Sequence, residues 1–390
     1  MDIITQILVI FGLLVAFLIP AAPVRAQTAI QVSANRVEMR LPGGIRFQLN
    51  ASSSARIRAI TLLYGTNGRN CLESTVRQVM TFSAARTVDL HWDWDFYRSG
   101  SVPPGAEIWW QWEIVDDNGA TLLTQRKTAR IEDTTYAWRE IRQQNITLRW
   151  TEGDSNFAWS ILRLAGSSLE RLTQDAGIEP GEDIQLILYP SAAAMQGAIL
   201  ALPDWSGGLA FSDYGVVIIG LAPGQEKWAQ EVVPHELAHL VTGALTYNCV
   251  GGRVPTWLTE GISVYAEGDA SPVDLNALKS ALQDGSLTPL NQLAEGFAAG
   301  AARADLSYVH SGEVVRFLVH EYGPEKSHDL LANIQAGLTA DEALLAVYGF
   351  DTTGLDNAWR GAQGYALVPT RPPTQAAAQR TTIPTLALWS

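Results

Sequence analysis

The fold is organised around residues 226–268, EKWAQEVVPHELAHLVTGALTYNCVGGRVPTWLTEGISVYAEG. In the first half of this stretch, apolar residues recur at helical spacing and predict one helix, in which Pro234 removes a backbone donor. His235 and His239 lie four residues apart on it, so at about 100° per residue their imidazoles project from the same face. Two imidazoles placed in this way can bind one metal ion.

Two glutamates accompany the histidines. Glu236 lies beside the first histidine, where its carboxylate can take a proton from a water molecule at the metal. Glu260 follows His239 after a glycine-rich turn, on a second predicted helix that begins at Pro255. A catalytic zinc site has three protein ligands and one open position, so Glu260 is the candidate for the third ligand.

These motifs together resemble those of a known family. HELAH followed by WLTEGISVYAEG is similar to the gluzincin group of zinc metallopeptidases, and more narrowly to the bacterial peptidase MA-like domains, over residues 140–365. The resemblance implies that Zn2+ is the cofactor, that His235, His239 and Glu260 bind it, and that Glu236 is the general base. It also implies a peptide or protein substrate.

The sequence departs from the family pattern at two positions after Glu260. Ser263 stands where alanine is usual, and Val264 stands where some gluzincins place an acidic partner for a histidine ligand. Such a partner orients the ring of a metal-binding histidine, so another residue is expected to take this role. Ser263 and Glu267 are the two candidates.

Two further candidates lie on a predicted helix over residues 305–322. Tyr308 and His310 stand near its start. Either side chain could donate a hydrogen bond to the oxyanion that forms at the scissile carbonyl. The alternative for both is a packing role.

The implied reaction is peptide-bond hydrolysis by a secreted zinc metallopeptidase. The sequence has no GxMEN-like stretch to hold a free amino terminus, which favours an endopeptidase. The resemblance also implies that a strand before the metal helix forms the sheet edge along which the peptide lies. Residues 207–211 or 215–220 are the candidates, and the alternative for 216–219 is an ordinary buried strand. The alternative function is a catalytically inactive, peptidase-like protein of the cell surface that serves binding or adhesion.

The two ends of the chain differ in composition from the rest. Residues 1–26 contain a short apolar block and end in small residues, which is typical of a secretory signal peptide. The segment begins with Asp2 and lacks an early basic residue, so an uncleaved anchor, and with it membrane contact, stays open. We expect a secreted or extracytoplasmic protein at the cell surface. Residues 366–390 are rich in proline and poor in bulky apolar side chains, and predict a disordered tail.

Length and charge limit the architecture and the partners. The 390 residues exceed one typical core and indicate two domains. The formal net charge is −13 and basic clusters are missing, which argues against nucleic acid as a partner.

The sequence pattern of the N-terminal part, residues 27–135, predicts β structure. Short runs that alternate apolar and polar residues are separated by turn residues, which predicts an immunoglobulin-like sandwich. With the metallopeptidase domain, composed of a small sheet, the metal helix and a helical subdomain, the fold class is α+β. The tryptophans of the sandwich either pack its core or form a platform for glycan or cell-wall contact: Trp92, Trp94, Trp109, Trp110 and Trp112.

The chain contains two cysteines. Cys71 belongs to the N-terminal domain and Cys249 lies between His239 and Glu260. An exported protein meets oxidising conditions, so a bridge between them is chemically allowed and would hold the first domain beside the metal motif. The sequence leaves open whether they pair.

Overall fold

The computed structural model describes residues 30–369, except 70, 72–74, 181–182, 201–205, 250–252 and 298–300. The predicted signal peptide at 1–26 and most of the predicted tail at 366–390 lie outside these residues. A β-rich N-terminal region is followed by a small sheet and a helical region, which confirms the predicted α+β fold. Among the described helices, none combines the length and the apolar character needed to cross a membrane.

The N-terminal region contains one antiparallel sheet of seven strands. Its elements are β1 (Gln31–Arg40), β2 (Gly44–Thr66), β3 (Val76–Val79), β4 (Ala85–Asp95), α1 (Phe96–Ser99), β5 (Glu107–Asp116), β6 (Thr121–Leu123) and β7 (Lys127–Arg130). The long strand β2 connects the sheet, because it pairs with β1 and β4 along its first half and with β3 and β5 along its second half. No glycine, proline, asparagine or aspartate interrupts residues 51–64, so the chain stays extended where a turn would have divided it. All seven strands thus belong to one hydrogen-bonded sheet, and the two-sheet immunoglobulin-like arrangement stays unconfirmed.

The tryptophans of this region mostly fill its core. Trp109, Trp110 and Trp112 are 4%, 3% and 0% exposed, and the indole nitrogens of the last two donate to Asn35 Oδ1. Burial removes these three rings from any surface platform. Glycan contact through the remaining surface stays a prediction.

The second region begins with a five-stranded sheet. Its strands are β8 (Arg139–Gln143), β9 (Ile146–Trp150), β10 (Ile184–Tyr189), β11 (Gly208–Phe211) and β12 (Val216–Gly220), in the order β11-β12-β10-β9-β8. Strands β9, β10 and β12 are parallel, and β11 runs antiparallel to β12 at one edge. All five residues of β12 are buried. Of the two predicted edge segments, 207–211 therefore contains the edge strand and 215–220 is interior.

Helices cover the sheet and continue beyond it. They are α2 (Ser155–Ala176), α3 (Ala192–Ala198), α4 (Glu226–Leu245), α5 (Thr256–Glu267), α6 (Pro272–Gln283), α7 (Ala301–Tyr322), α8 (Pro324–Gln335), α9 (Ala340–Tyr348) and α10 (Thr352–Ala362). Side chains of β10 alternate between two cores: Leu186 and Leu188 pack with α2 and α4, whereas Ile187 and Tyr189 pack with α3. The sheet therefore supports α4, the predicted metal helix, on one face.

Helices α5 and α7 approach each other at two glycines. A Cβ atom on Gly261 would lie 2.6 Å from the carbonyl oxygen of Ser311, and one on Gly312 would lie 2.5 Å from Val264 Cγ1. Only glycine permits contacts this close to a neighbouring backbone or branched side chain. The packing fixes the part of α5 that carries Glu260.

This packing yields a stability prediction. We expect Gly261→Ala to lower the free energy of unfolding by about 1–3 kcal/mol, because the added methyl group forces α5 and α7 apart. Gly166→Ala in α2 is the matched control, since its Cβ would meet nothing within 4 Å, and there the better helix propensity of alanine should raise stability slightly. Urea unfolding measures both. An unchanged midpoint for Gly261→Ala would contradict the close approach.

The N-terminal region contacts the end of α4. Cys71 and Cys249 form a disulfide, so the pairing that the sequence left open is present. The Arg69 guanidinium donates to the carbonyl oxygen of Ala244 at 2.6 Å, and Tyr189 OH donates to Asp133 Oδ2 at 3.3 Å. A covalent bond and hydrogen bonds therefore hold the two regions together beside the metal helix.

Candidate metal centre

Three side chains of α4 and α5 converge on one point. His235 and His239 project from α4, which continues through Pro234, and Glu260 projects from α5. The two Nε2 atoms are 3.1 Å apart, and Glu260 Oε2 lies 3.4 Å from Nε2 of His235 and 3.2 Å from Nε2 of His239. Ligands placed tetrahedrally at 2.0–2.1 Å from zinc would be about 3.3 Å from one another. The observed triangle has this size.

The donor set fits a cation. Glu260 Oε2 is buried and has no hydrogen-bond donor, although it lies close to both imidazoles. An ionised carboxylate oxygen in such surroundings is costly unless a cation or a donor compensates it. Two imidazoles and one carboxylate are also ligands that zinc prefers. The residues therefore suit the metal that the sequence implies.

Glu267 orients the first histidine. Its Oε1 lies 2.6 Å from His235 Nδ1, so Nδ1–H donates to the carboxylate and Nε2 faces Glu260 and His239. Ser263, the other candidate for this role, is fully buried and its hydroxyl has no hydrogen-bond partner. The proposed role of Ser263 is wrong, because its side chain lies inside the packing of α5 and does not reach the histidines.

The charges of the site depend on one another. Burial lowers the pKa of His235, but the carboxylates of Glu260 and Glu267 outweigh this effect and raise the pKa to about 10. Burial raises the pKa of Glu260, and the two histidines outweigh it and lower the pKa to about 2. Without a metal, a proton on His235 therefore compensates Glu260. Binding of a divalent cation has to displace that proton, so metal uptake releases it.

Glu236 lies between the metal ligands and the sheet edge. A Cβ atom on Gly208 would be 2.8 Å from Glu236 Oε1, so the carboxylate contacts the first residue of β11. Burial raises the pKa of Glu236, and the charges of His239 and His235 act against this shift. The arrangement places a carboxylate of increased basicity between the metal ligands and the first residue of β11.

The two candidates on α7 face different surroundings. The ring of Tyr308 lies 6.4 Å from the ring of His235, and burial, with the charges of Glu260 and Glu236, raises its pKa to about 12. His310 is fully buried elsewhere, with Nε2 3.6 Å from Asp356 Oδ1. Residues two apart on a helix point to nearly opposite sides. The predicted catalytic role of His310 is therefore wrong, whereas Tyr308 lies beside the site.

Arg316 on α7 was not predicted from the sequence. Its Nη2 donates to the carbonyl oxygen of Gly268 at 2.6 Å, and its guanidinium lies 5.3 Å from the centre of the Tyr265 ring. Both contacts hold the end of α5, where Glu267 is located. A single arginine on a helix face gives no sequence signal for such a role.

A helix with two histidines and a glutamate, followed by a helix that supplies a second glutamate, defines the gluzincin class of zinc metallopeptidases. The chain belongs to the Peptidase MA superfamily, whose family model matches residues 164–363, or 200 of the 390 residues. Membership supports a zinc-dependent peptidase. Among curated proteins, no sequence matches this chain significantly.

Several solved structures show a distant likeness. The M1 zinc metallopeptidase from Deinococcus radiodurans is 13% identical with a TM-score of 0.35, over 88% of this chain and 96% of that one. The aminopeptidase N family protein from Idiomarina loihiensis is 9% identical with a TM-score of 0.35, over 81% and 73%. Catalytically inactive OgpA from Akkermansia muciniphila, in complex with an O-glycopeptide, is 10% identical with a TM-score of 0.21, over 27% of this chain and less than a third of that one (29%). These values are too low to transfer a substrate.

Proposed function

We propose that this protein is a secreted zinc-dependent endopeptidase with Glu236 as its general base. One observation carries the proposal: His235, His239 and Glu260 surround one point, and Glu236 lies between that point and the edge strand β11. The three converging side chains would hold the metal. Zinc bound there would lower the pKa of a water molecule and polarise the substrate carbonyl.

Glu236 performs the proton transfers in this proposal. Its carboxylate takes a proton from the attacking water as the new C–O bond forms. It then delivers this proton to the amide nitrogen as the C–N bond breaks, which leaves a carboxylic acid and an amine. Because burial raises the pKa of Glu236, the group is a better base than an exposed glutamate.

Tyr308 is proposed to stabilise the charge that develops on the carbonyl oxygen. A pKa of about 12 keeps its hydroxyl protonated at neutral pH, so it can donate a hydrogen bond. The Phe297 ring contacts the Tyr308 ring edge-on at 4.7 Å, which restricts its orientation. Donors aimed at a developing oxyanion are among the largest single contributions to catalysis.

The edge strand is proposed to bind the substrate main chain. Strand β11 pairs with β12 on one side, and its other side is the edge of the sheet. An extended peptide can add to such an edge as a further strand, which presents successive peptide bonds to the neighbouring groups. This mode needs no free end of the peptide.

The acidic groups favour internal cleavage. An aminopeptidase holds the free amino terminus of its substrate with a spare carboxylate. Among the described residues, three glutamates converge on this centre; Glu260 and Glu267 contact histidines and Glu236 is the proposed base. Strand β11 ends in Phe211, an apolar residue that offers no carboxylate for a charged amino terminus. Export is supported by the disulfide, because such bonds persist in oxidising compartments.

Peptides with blocked and free amino termini test the proposal. We expect a mixed peptide library to be cleaved at internal bonds, at similar rates whether the amino termini are acetylated or free. Removal of the metal by a chelator should stop cleavage, and added zinc should restore it. Stepwise release of single residues from free termini alone would identify an aminopeptidase instead.

A further inference from the structure

Trp228 exposes a large apolar surface on the metal helix. Its side chain is 39% exposed, whereas most described tryptophans are buried or half-buried. It precedes His235 by seven residues and His239 by eleven, so its side chain leaves α4 at about 20° from each histidine and between the two directions. The indole therefore lies on the face of α4 that carries the metal ligands, about 10 Å along the axis from His235.

The ring of Trp228 also contacts the start of the edge strand. A Cβ atom on Gly207 would lie 2.6 Å from Trp228 Cζ2, so the six-membered part of the indole packs directly on the Gly207 backbone. The next residue, Gly208, makes room for the carboxylate of Glu236 in the same way. Two consecutive glycines are thus contacted by two side chains of α4: Gly207 by Trp228, and Gly208 by the proposed base Glu236.

These contacts show how far Trp228 lies from the bond that is cleaved. Consecutive residues of an extended chain advance by about 3.3 Å, so positions opposite Gly207 and Gly208 belong to adjacent or nearly adjacent residues of an added strand. Glu236 acts on the bond that is cleaved. The substrate residue beside Trp228 is therefore within one or two positions of that bond.

We propose that Trp228 determines specificity by binding an apolar side chain of the substrate, aromatic or long aliphatic, next to the scissile bond. The proposal rests on the proposed peptidase function. An indole ring gains from burying its apolar surface against another apolar group, and its rigid shape makes this contact selective.

A peptide series with one varied residue tests this role. For the parent protein we expect peptides with Phe or Leu at one position beside the scissile bond to have a kcat/KM about tenfold or more above that of the Gly peptide, the range that apolar pockets usually reach. Trp228→Ala should remove most of this preference through a higher KM, and Trp228→Phe should keep most of it. Trp159→Ala on α2 is the matched control, since Trp159 is 38% exposed and should leave the preference unchanged.

Two results would overturn the proposal. One is an unchanged Phe and Leu preference in Trp228→Ala, and the other is a preference for Lys or Arg at the position that Trp228 controls, which would indicate a cation on the indole face. Urea unfolding of both Trp228 variants shows whether they fold.

Binding measurements separate this proposal from the catalytic one. If the parent protein cleaves no peptide, the proposed function fails. Titration calorimetry of the same peptides with the zinc-loaded protein then still tests Trp228. The Phe peptide should bind about tenfold more weakly to Trp228→Ala than to the parent, and equal binding would refute the role of the indole.

Discussion

Replacing Glu236 by glutamine (Glu236→Gln) is expected to lower kcat for peptide cleavage by a factor of about 10²–10⁴, the usual contribution of a general base. The amide has nearly the same shape as the carboxylate and still fits against Gly208, but it cannot accept a proton from water. Zinc content and the unfolding midpoint should stay at the parent values, because Glu236 is not one of the three converging ligands. Initial rates at saturating substrate measure the effect.

Glu231→Gln provides the control for this experiment. Glu231 lies on the same helix and is exposed, so its replacement changes the net charge equally without changing the site. Its kcat should match that of the parent protein. If Glu236→Gln cleaves as fast as Glu231→Gln, another group is the base. If the parent protein binds zinc yet cleaves nothing, the chain is an inactive, peptidase-like binding protein.

Glu260→Gln should abolish tight zinc binding and cleavage together. Loss of a partner that only orients a ligand costs about 10–100-fold in metal affinity, and loss of the ligand itself should cost more. The unfolding midpoint of the parent protein should rise when zinc is added, because a ligand that binds the folded state stabilises it. That rise should be absent in Glu260→Gln. Thermal unfolding with and without zinc shows both effects.

The control for Glu260 is Glu295→Gln, an exposed glutamate between α6 and α7. It should bind one zinc ion per chain and keep the rise in midpoint. A Glu260→Gln protein that retains zinc at parent affinity would show that this carboxylate is not a ligand, and the gluzincin assignment of the site would then be wrong.

The convergence of the metal ligands was predictable because it depends on local geometry. The spacing of His235 and His239 fixes their common face on any straight helix, and the predicted turn before Pro255 allowed α5 to return to α4. Glu260 could therefore be placed without knowledge of the rest of the fold. Glu267 follows Glu260 by seven residues and therefore projects from nearly the same face of α5, whereas Ser263 does not. Helical spacing alone thus favours Glu267 over Ser263 as the partner of a histidine ligand.

Other features depend on contacts between distant segments, which sequence patterns do not record. Strand β2 continues without a turn through three consecutive serines, the first of which, Ser52, pairs with both β1 and β4. His310 is buried against Asp356, which lies on a helix far along the chain. The contact of Trp228 with Gly207 likewise joins separate elements. The glycine pair 207–208 was its only signal, since adjacent glycines at a strand start often mark a close approach of other groups.

X-ray diffraction from crystals of the zinc-loaded protein, recorded on both sides of the zinc absorption edge, locates the metal and its ligands. We expect one anomalous peak at about 2.0–2.1 Å from Nε2 of His235, Nε2 of His239 and a carboxylate oxygen of Glu260. A zinc ion bound elsewhere, or one bound to the two histidines with Glu260 turned away, would contradict it.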